Sequence, residues 1–180
     1  GGGDGNGWAI VIGSSVAKGF GSRDGGNNFE GYTQRMGDAL INVYSLVAVE
    51  YVTVGGSDTA GFLDRSNSVR GQEFWDLLAN GRKDRDCVCA SHGAGACGAI
   101  TYEGKSNDAN SWKSKGTFCT GTYDEAKPRF VWIGLSLGNE GLKDTADAGA
   151  AQTVRDTFEE NIERLVREIG MYGVPTLVGG

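Results

Sequence analysis

No stretch of this 180-residue chain approaches the run of roughly 20 apolar residues that a bilayer-spanning helix needs. Nor does any segment have the form of a signal peptide. Lysine and arginine, 17 in all, are scattered rather than striped, and the formal net charge is -6. That pattern excludes the electrostatic footprint of a nucleic-acid or anionic-membrane binder. Proline is scarce at two residues, and His92 is the only histidine. No internal repeat is evident. The first residue is glycine rather than methionine, so the native start is expected upstream.

What is abundant is glycine, with 31 residues, many of them at the very start and in loops. Residues 1–7 read as a flexible leader, and residues 8–180 suit one compact α/β domain able to bury a real core. The four cysteines, Cys87, Cys89, Cys97 and Cys119, fall in one segment. An even, clustered count fits local disulfides in an oxidising compartment, which favours a secreted or extracytoplasmic setting, but it fits free cytosolic thiols as well. A zinc site on these cysteines and His92 is disfavoured, because Cys87-Val88-Cys89 lacks the two-to-four-residue ligand spacing.

Hydrophobic patterning gives an alternating order. Trp8 to Gly13 is a short apolar run closed by glycine and reads as a buried strand. From Gly31 to Val43, residues Tyr32, Met36, Leu40 and Val43 recur at helical spacing. Leu46 to Val54 is rich in β-formers and stops at Gly55-Gly56. Phe62-Leu63 and Phe74 to Leu78 suggest helical pieces before Gly81. Arg129 to Leu137 is a third apolar strand. Ala150 to Ile169 places Val154, Phe158, Ile162, Leu165, Val166 and Ile169 on one helical stripe, and Val174 to Val178 reads as a fourth strand. Strand and helix alternating in this way imply an α/β fold, a parallel, flavodoxin-like sheet with helices on both faces, making a three-layer sandwich. Residues from about 84 to 122 break the alternation. They read as a Cys- and Gly-rich insertion, with a hairpin of Ile100–Lys105 against Trp112–Phe118.

In such sheets, function gathers at the carboxyl ends of the strands. Three of those ends carry suggestive residues. In Gly13-Ser14-Ser15-Val16-Ala17-Lys18-Gly19, a serine on a tight turn past a strand can expose its hydroxyl at the sheet edge; an ordinary strand-to-helix turn with capping serines fits as well. A phosphate loop needs its lysine after the second glycine, whereas Lys18 precedes Gly19. In Gly56-Ser57-Asp58-Thr59, a glycine can offer its N–H to a developing oxyanion, or the segment is a turn and a helix cap. In Leu137-Gly138-Asn139-Glu140-Gly141, an asparagine can donate to the same oxyanion, or make a local Asx turn. Lys18 and Glu140 flank the expected site and read as solvated loop charges.

Together these blocks resemble the SGNH (GDSL-like) family of esterases and lipases. Its first block is similar to Gly13-Ser14-Ser15-Val16, with Ser14 in place of the usual aspartate and Val16 in place of leucine. Its second resembles Gly56 with Thr59 and Leu63-Asp64-Arg65, and Gly55 remains an alternative. Its third, Gly-x-Asn-Asp, resembles Leu137-Gly138-Asn139-Glu140, with Leu137 in place of the first glycine and Glu140 in place of the final aspartate. The resemblance implies a serine ester hydrolase acting on small-molecule or glycan esters, without cofactor or metal. Ser15 would be the nucleophile, and Ser15, Gly56 and Asn139 the oxyanion donors. It also implies an Asp-x-x-His block near the C-terminus. No such sequence occurs in the chain, so the acid and base are expected beyond Gly180. His92 has no aspartate three residues before it and lies in the insertion, where it is expected to be a loop histidine. Two rival readings share the architecture: a non-catalytic domain that binds acylated glycans or another small ligand, and a flavin or nucleotide binder. The second leaves Asn139 without a role.

Overall fold

The computed structural model describes residues 7–19, 32–44, 46, 48–81, 115–116 and 127–179. Its centre is a parallel sheet of β1 (Trp8–Gly13), β2 (Ala48–Thr53), β4 (Val131–Gly134) and β5 (Thr176–Val178), with the two-residue β3 (Lys115–Gly116) at one edge. The spatial order is β3-β2-β1-β4-β5. β1 pairs in parallel with both β2 and β4, and β4 pairs in parallel with β5. The order of the four parallel strands is that of a flavodoxin-like sheet, whose direction of growth reverses between β1 and β4. The fold is therefore α/β, as the alternation in the sequence implies.

Among the described residues, five helices accompany the sheet: α1 (Ser15–Lys18), α2 (Tyr32–Asn42), α3 (Thr59–Leu63), α4 (Gly71–Asn80) and α5 (Ala148–Gly170). Side chains alternate across a strand, and the core divides accordingly. Ile10, Ile12, Val52, Val131 and Ile133 face Phe62 of α3, Phe74, Trp75 and Leu78 of α4, and Leu165 and Ile169 of α5. Ala9, Val11, Val49 and Tyr51 face Met36, Leu40 and Ile41 of α2. All six residues of β1 are buried. A strand covered on both faces has no polar side, which is why WAIVIG carries no alternation.

Local chemistry sets the helix boundaries. The Asp58 and Asp147 side chains accept the backbone N–H groups of Gly61 and Ala150, each at 2.8 Å, and so cap α3 and α5. Gly71 opens α4 because a β-carbon there would run into the Asp64 carbonyl. Arg65 lies over the Trp75 ring, 4.0 Å from its centroid, and donates to Tyr172 Oη at 3.1 Å and Glu168 Oε2 at 3.2 Å. It thereby ties the segment after α3 to the far end of α5.

Three differences from the sequence reading stand out. The third long strand, expected over Arg129 to Leu137, is paired into the sheet only over Val131–Gly134; Leu135 is buried beyond the strand, Ser136 is still extended, and Leu137–Asn139 form a 3-10 turn. The apolar run outlasts the sheet pairing. The sheet is also not purely parallel. Lys115 and Gly116, within the segment expected to form a hairpin with Ile100–Lys105, pair antiparallel with Val49 and Ala48 of β2. The remaining hairpin residues, the four cysteines and His92 lie outside the described residues, as do residues 1–6 of the leader. Finally, Gly7 is buried, and a β-carbon on it would collide with the Arg129 side chain. It belongs with the packed domain.

Candidate functional site

The carboxyl ends of β1 and β4 lie side by side, because Gly13 and Gly134 are register partners. Neither position has room for a side chain. A β-carbon at Gly13 would sit 2.8 Å from the Gly134 carbonyl oxygen and against the Ala17 methyl, and one at Gly134 would sit 2.5 Å from Tyr32 Oη. The two glycines let α1 settle directly onto the strand ends. Thr33, buried at the start of α2, donates its hydroxyl to the Ala17 carbonyl, and Tyr51 of β2 donates to the Thr33 carbonyl at 3.0 Å. The β2 end is joined to β1 through the Val54 N–H and the Gly13 carbonyl at 3.0 Å.

The two serines of the first block have opposite environments. Ser14 occupies the N-cap position of α1 but makes no capping hydrogen bond. Its side chain is fully buried, and its Oγ has no partner among the described residues. The capping role open to it in the sequence is not realised. Ser15, the first residue of α1, is half-buried, and Val16 beside it is 59% exposed. Of the two serines, Ser15 is therefore the one that is partly exposed.

The loop after β2 turns at Gly55-Gly56, closed by a hydrogen bond from the Ser57 N–H to the Val54 carbonyl at 3.2 Å. Gly56 takes φ +70, a left-handed conformation that only glycine adopts without strain. It is exposed. Arg70 holds this loop from beneath, its Nε donating to Ser57 Oγ at 2.8 Å and its Nη2 lying 3.5 Å from the Gly55 carbonyl. The segment is thus both the turn and the helix cap that its sequence allows.

The loop after β4 reaches across to it. Asn139 Nδ2 donates to the Ser57 carbonyl at 3.1 Å, a bond between residues 82 apart in sequence. This is no local Asx turn. One N–H of the amide is committed to the backbone, and the second has no acceptor among the described residues. Glu140, expected to be a solvated loop charge, is instead half-buried and bound: Oε1 accepts the Thr59 N–H at 2.7 Å, and Oε2 accepts the Thr59 hydroxyl at 3.1 Å. Thr59 is fully buried, and its Oγ1 in turn accepts from Asn161 Nδ2 of α5 at 2.8 Å. Arg70 and Asn161 carry no signal in the sequence, because what they hold is set by how the segments pack. The Lys18 side chain lies outside the described residues.

Burial raises the Glu140 carboxyl above its ordinary pKa of 4.5, assisted by the nearby Asp58 charge and opposed by the two bonds from Thr59. A carboxyl that binds its proton more tightly folded than unfolded makes the native state the better proton acceptor. Stability should therefore fall as pH rises from 4.5 through the raised folded value. Urea denaturation midpoints across that range should show the decline, and the Glu140→Gln protein should lack this contribution to the slope.

Ser15, Gly56 and Asn139, the three residues singled out in the sequence, thus all follow the carboxyl ends of strands, Ser15 at the start of α1, Gly56 and Asn139 on loops joined by a hydrogen bond. Among the described residues, no group of three or more His, Cys, Asp or Glu side chains could hold a metal ion. No helix among them is long and apolar enough to cross a membrane. Comparison of the chain with family models, with curated proteins and with solved structures found no match.

Proposed function

We propose that the protein is a serine ester hydrolase of the SGNH type, with Ser15 as nucleophile. The observation that carries this reading is the pairing of Gly13 with Gly134 at the sheet's reversal point, which sets Ser15 just past one strand end while Asn139, past the other, is hydrogen-bonded to the loop of Gly56. Ligands of open α/β sheets bind at that crevice. The Ser15 hydroxyl oxygen attacks the ester carbonyl carbon as a base takes its proton. The tetrahedral oxyanion accepts hydrogen bonds from the Ser15 and Gly56 N–H groups and from the free N–H of Asn139. Collapse breaks the ester C–O bond, releases the alcohol and leaves an acyl group on Ser15, which water then removes. The chain's own contribution is the nucleophile and the oxyanion donors. The Asp-x-x-His that would supply the base does not occur in these 180 residues, so the test supplies imidazole.

With p-nitrophenyl acetate and imidazole, peptide mapping by mass spectrometry should find the acetyl group on the peptide bearing Ser15. Acetylation confined to surface lysines would refute the nucleophile. Saturable binding of an acylated sugar with no transfer to Ser15 would favour a binding domain on the same fold.

A further inference from the structure

We propose that Glu140 is the positioning residue that aims the Asn139 amide, a role that deepens the hydrolase reading and rests on it for its catalytic consequence. Two consecutive side chains leave the loop after β4 and grip the loop after β2 at two points on either side of Asp58. Asn139 bonds the Ser57 carbonyl at 3.1 Å, and Glu140 takes both the N–H and the hydroxyl of Thr59 at 2.7 and 3.1 Å. A single bond from Asn139 would leave its loop free to pivot about it. The second attachment removes that freedom, because both Glu140 oxygens are engaged by one residue that is itself buried.

The anchoring point is held from two further directions. Asn161 of α5 donates to Thr59 Oγ1 at 2.8 Å, and Asp58 caps α3 through the Gly61 N–H at 2.8 Å. Arg70 fixes the Ser57 side chain at 2.8 Å. Thr59 spends its one hydroxyl proton on Glu140 while accepting from Asn161, so its hydrogen bonding is complete only while Glu140 offers an acceptor. Glu140 touches no substrate in this scheme. It acts through the backbone that it shares with Asn139, and the Asn139 N–H left over from Ser57 then meets a substrate oxygen without reorganising.

The test pairs a structural with a kinetic measurement on Glu140→Ala and Glu140→Gln. In proton–nitrogen NMR spectra of the wild-type protein, the Asn139 side-chain NH₂ should give two well-separated signals with slow solvent exchange. Glu140→Ala should collapse that separation and speed the exchange. Glu140→Gln, which keeps an oxygen for the Thr59 N–H, should retain part of both, and it carries the test if the alanine protein does not fold. Acetyl transfer to Ser15 should slow in Glu140→Ala by no more than the roughly 10²–10³-fold that attends loss of an oxyanion donor, through kcat rather than KM. The Asn139→Ala/Glu140→Ala protein should be no slower than Asn139→Ala alone, since a positioner has nothing left to position. Unchanged Asn139 signals in both variants, or rate losses that multiply in the double variant, would overturn the proposal. A folded wild-type protein that never acetylates Ser15 defeats only the hydrolase reading; the NMR comparison decides the clamp by itself.

Discussion

Ser15→Ala is expected to abolish acetyl transfer to the first-block peptide, whereas Ser14→Ala should preserve it. The two adjacent serines make each other's control. Ser15 is half-buried at the start of α1, and its hydroxyl has no hydrogen bond within the described residues, so alanine there should change stability by less than about 0.5 kcal/mol. Loss of transfer in that variant therefore reports chemistry, not unfolding. Ser14 is fully buried, with an Oγ that has no partner among the described residues. A buried hydroxyl without a partner carries its full desolvation cost, so its removal should stabilise the protein by about 1 kcal/mol. Asn139→Ala belongs to the same series. It removes an oxyanion donor, worth about 10²–10³-fold in rate, and the bond to Ser57, worth about 1 kcal/mol in stability. Peptide-mapped acetylation and urea denaturation read the two effects separately. Full transfer in Ser15→Ala, or its loss in Ser14→Ala with the fold intact, would move the nucleophile elsewhere.

The second large effect is on stability. Phe74 is fully buried between Phe62 and Trp75, with ring centroids 6.3 Å and 4.8 Å away, the first pair edge-to-face. Truncating a buried phenylalanine to alanine costs about 3–5 kcal/mol, from lost transfer energy and from the cavity left behind. Against a total of roughly 5–15 kcal/mol for an ordinary domain, that is a large share. Phe74→Ala should accordingly show a strongly lowered urea midpoint. Met171→Ala, at a position 83% exposed, should shift it hardly at all. A loss below about 1 kcal/mol for Phe74→Ala would mean that the face of the sheet under α3, α4 and α5 is not closed as described. The same substitution should loosen the site, because Phe74 underlies the helices that carry Thr59 and follow Arg70.

The order of elements was legible in the sequence, and for a simple reason. Trp8–Gly13 is apolar throughout because its strand is covered on both faces, and the stripe from Val154 to Ile169 repeats at helical spacing because one side of α5 meets the sheet. Both signals are local, although of the stripe only Phe158, Ile162, Leu165 and Ile169 pack on the core, and Val166 is exposed. The alternation of such segments narrows the topology to a parallel sheet with crossover helices. From that topology alone it follows that the ends of the first and third long strands share an edge, which is how Ser15, Gly56 and Asn139 could be chosen together. The boundaries were less legible. The apolar run from Arg129 to Leu137 outlasts the strand, since Leu135 is buried beyond the last residue that pairs in the sheet.

What the tertiary structure alone decided is how the edge is braced. Asn139 meets Ser57 and Glu140 meets Thr59 across 82 and 81 residues, Arg70 arrives from just before α4, and Asn161 from α5. A glutamate between an asparagine and a glycine looks, by composition, like a solvated loop charge. Only the pairing of β1 with both β2 and β4 brings a buried threonine within its reach. The same holds for Ser14 and Ser15, identical side chains at adjacent positions. The residue type says that a hydroxyl is present, and the direction of the chain as it leaves the strand determines that Ser14 is fully buried and Ser15 partly exposed.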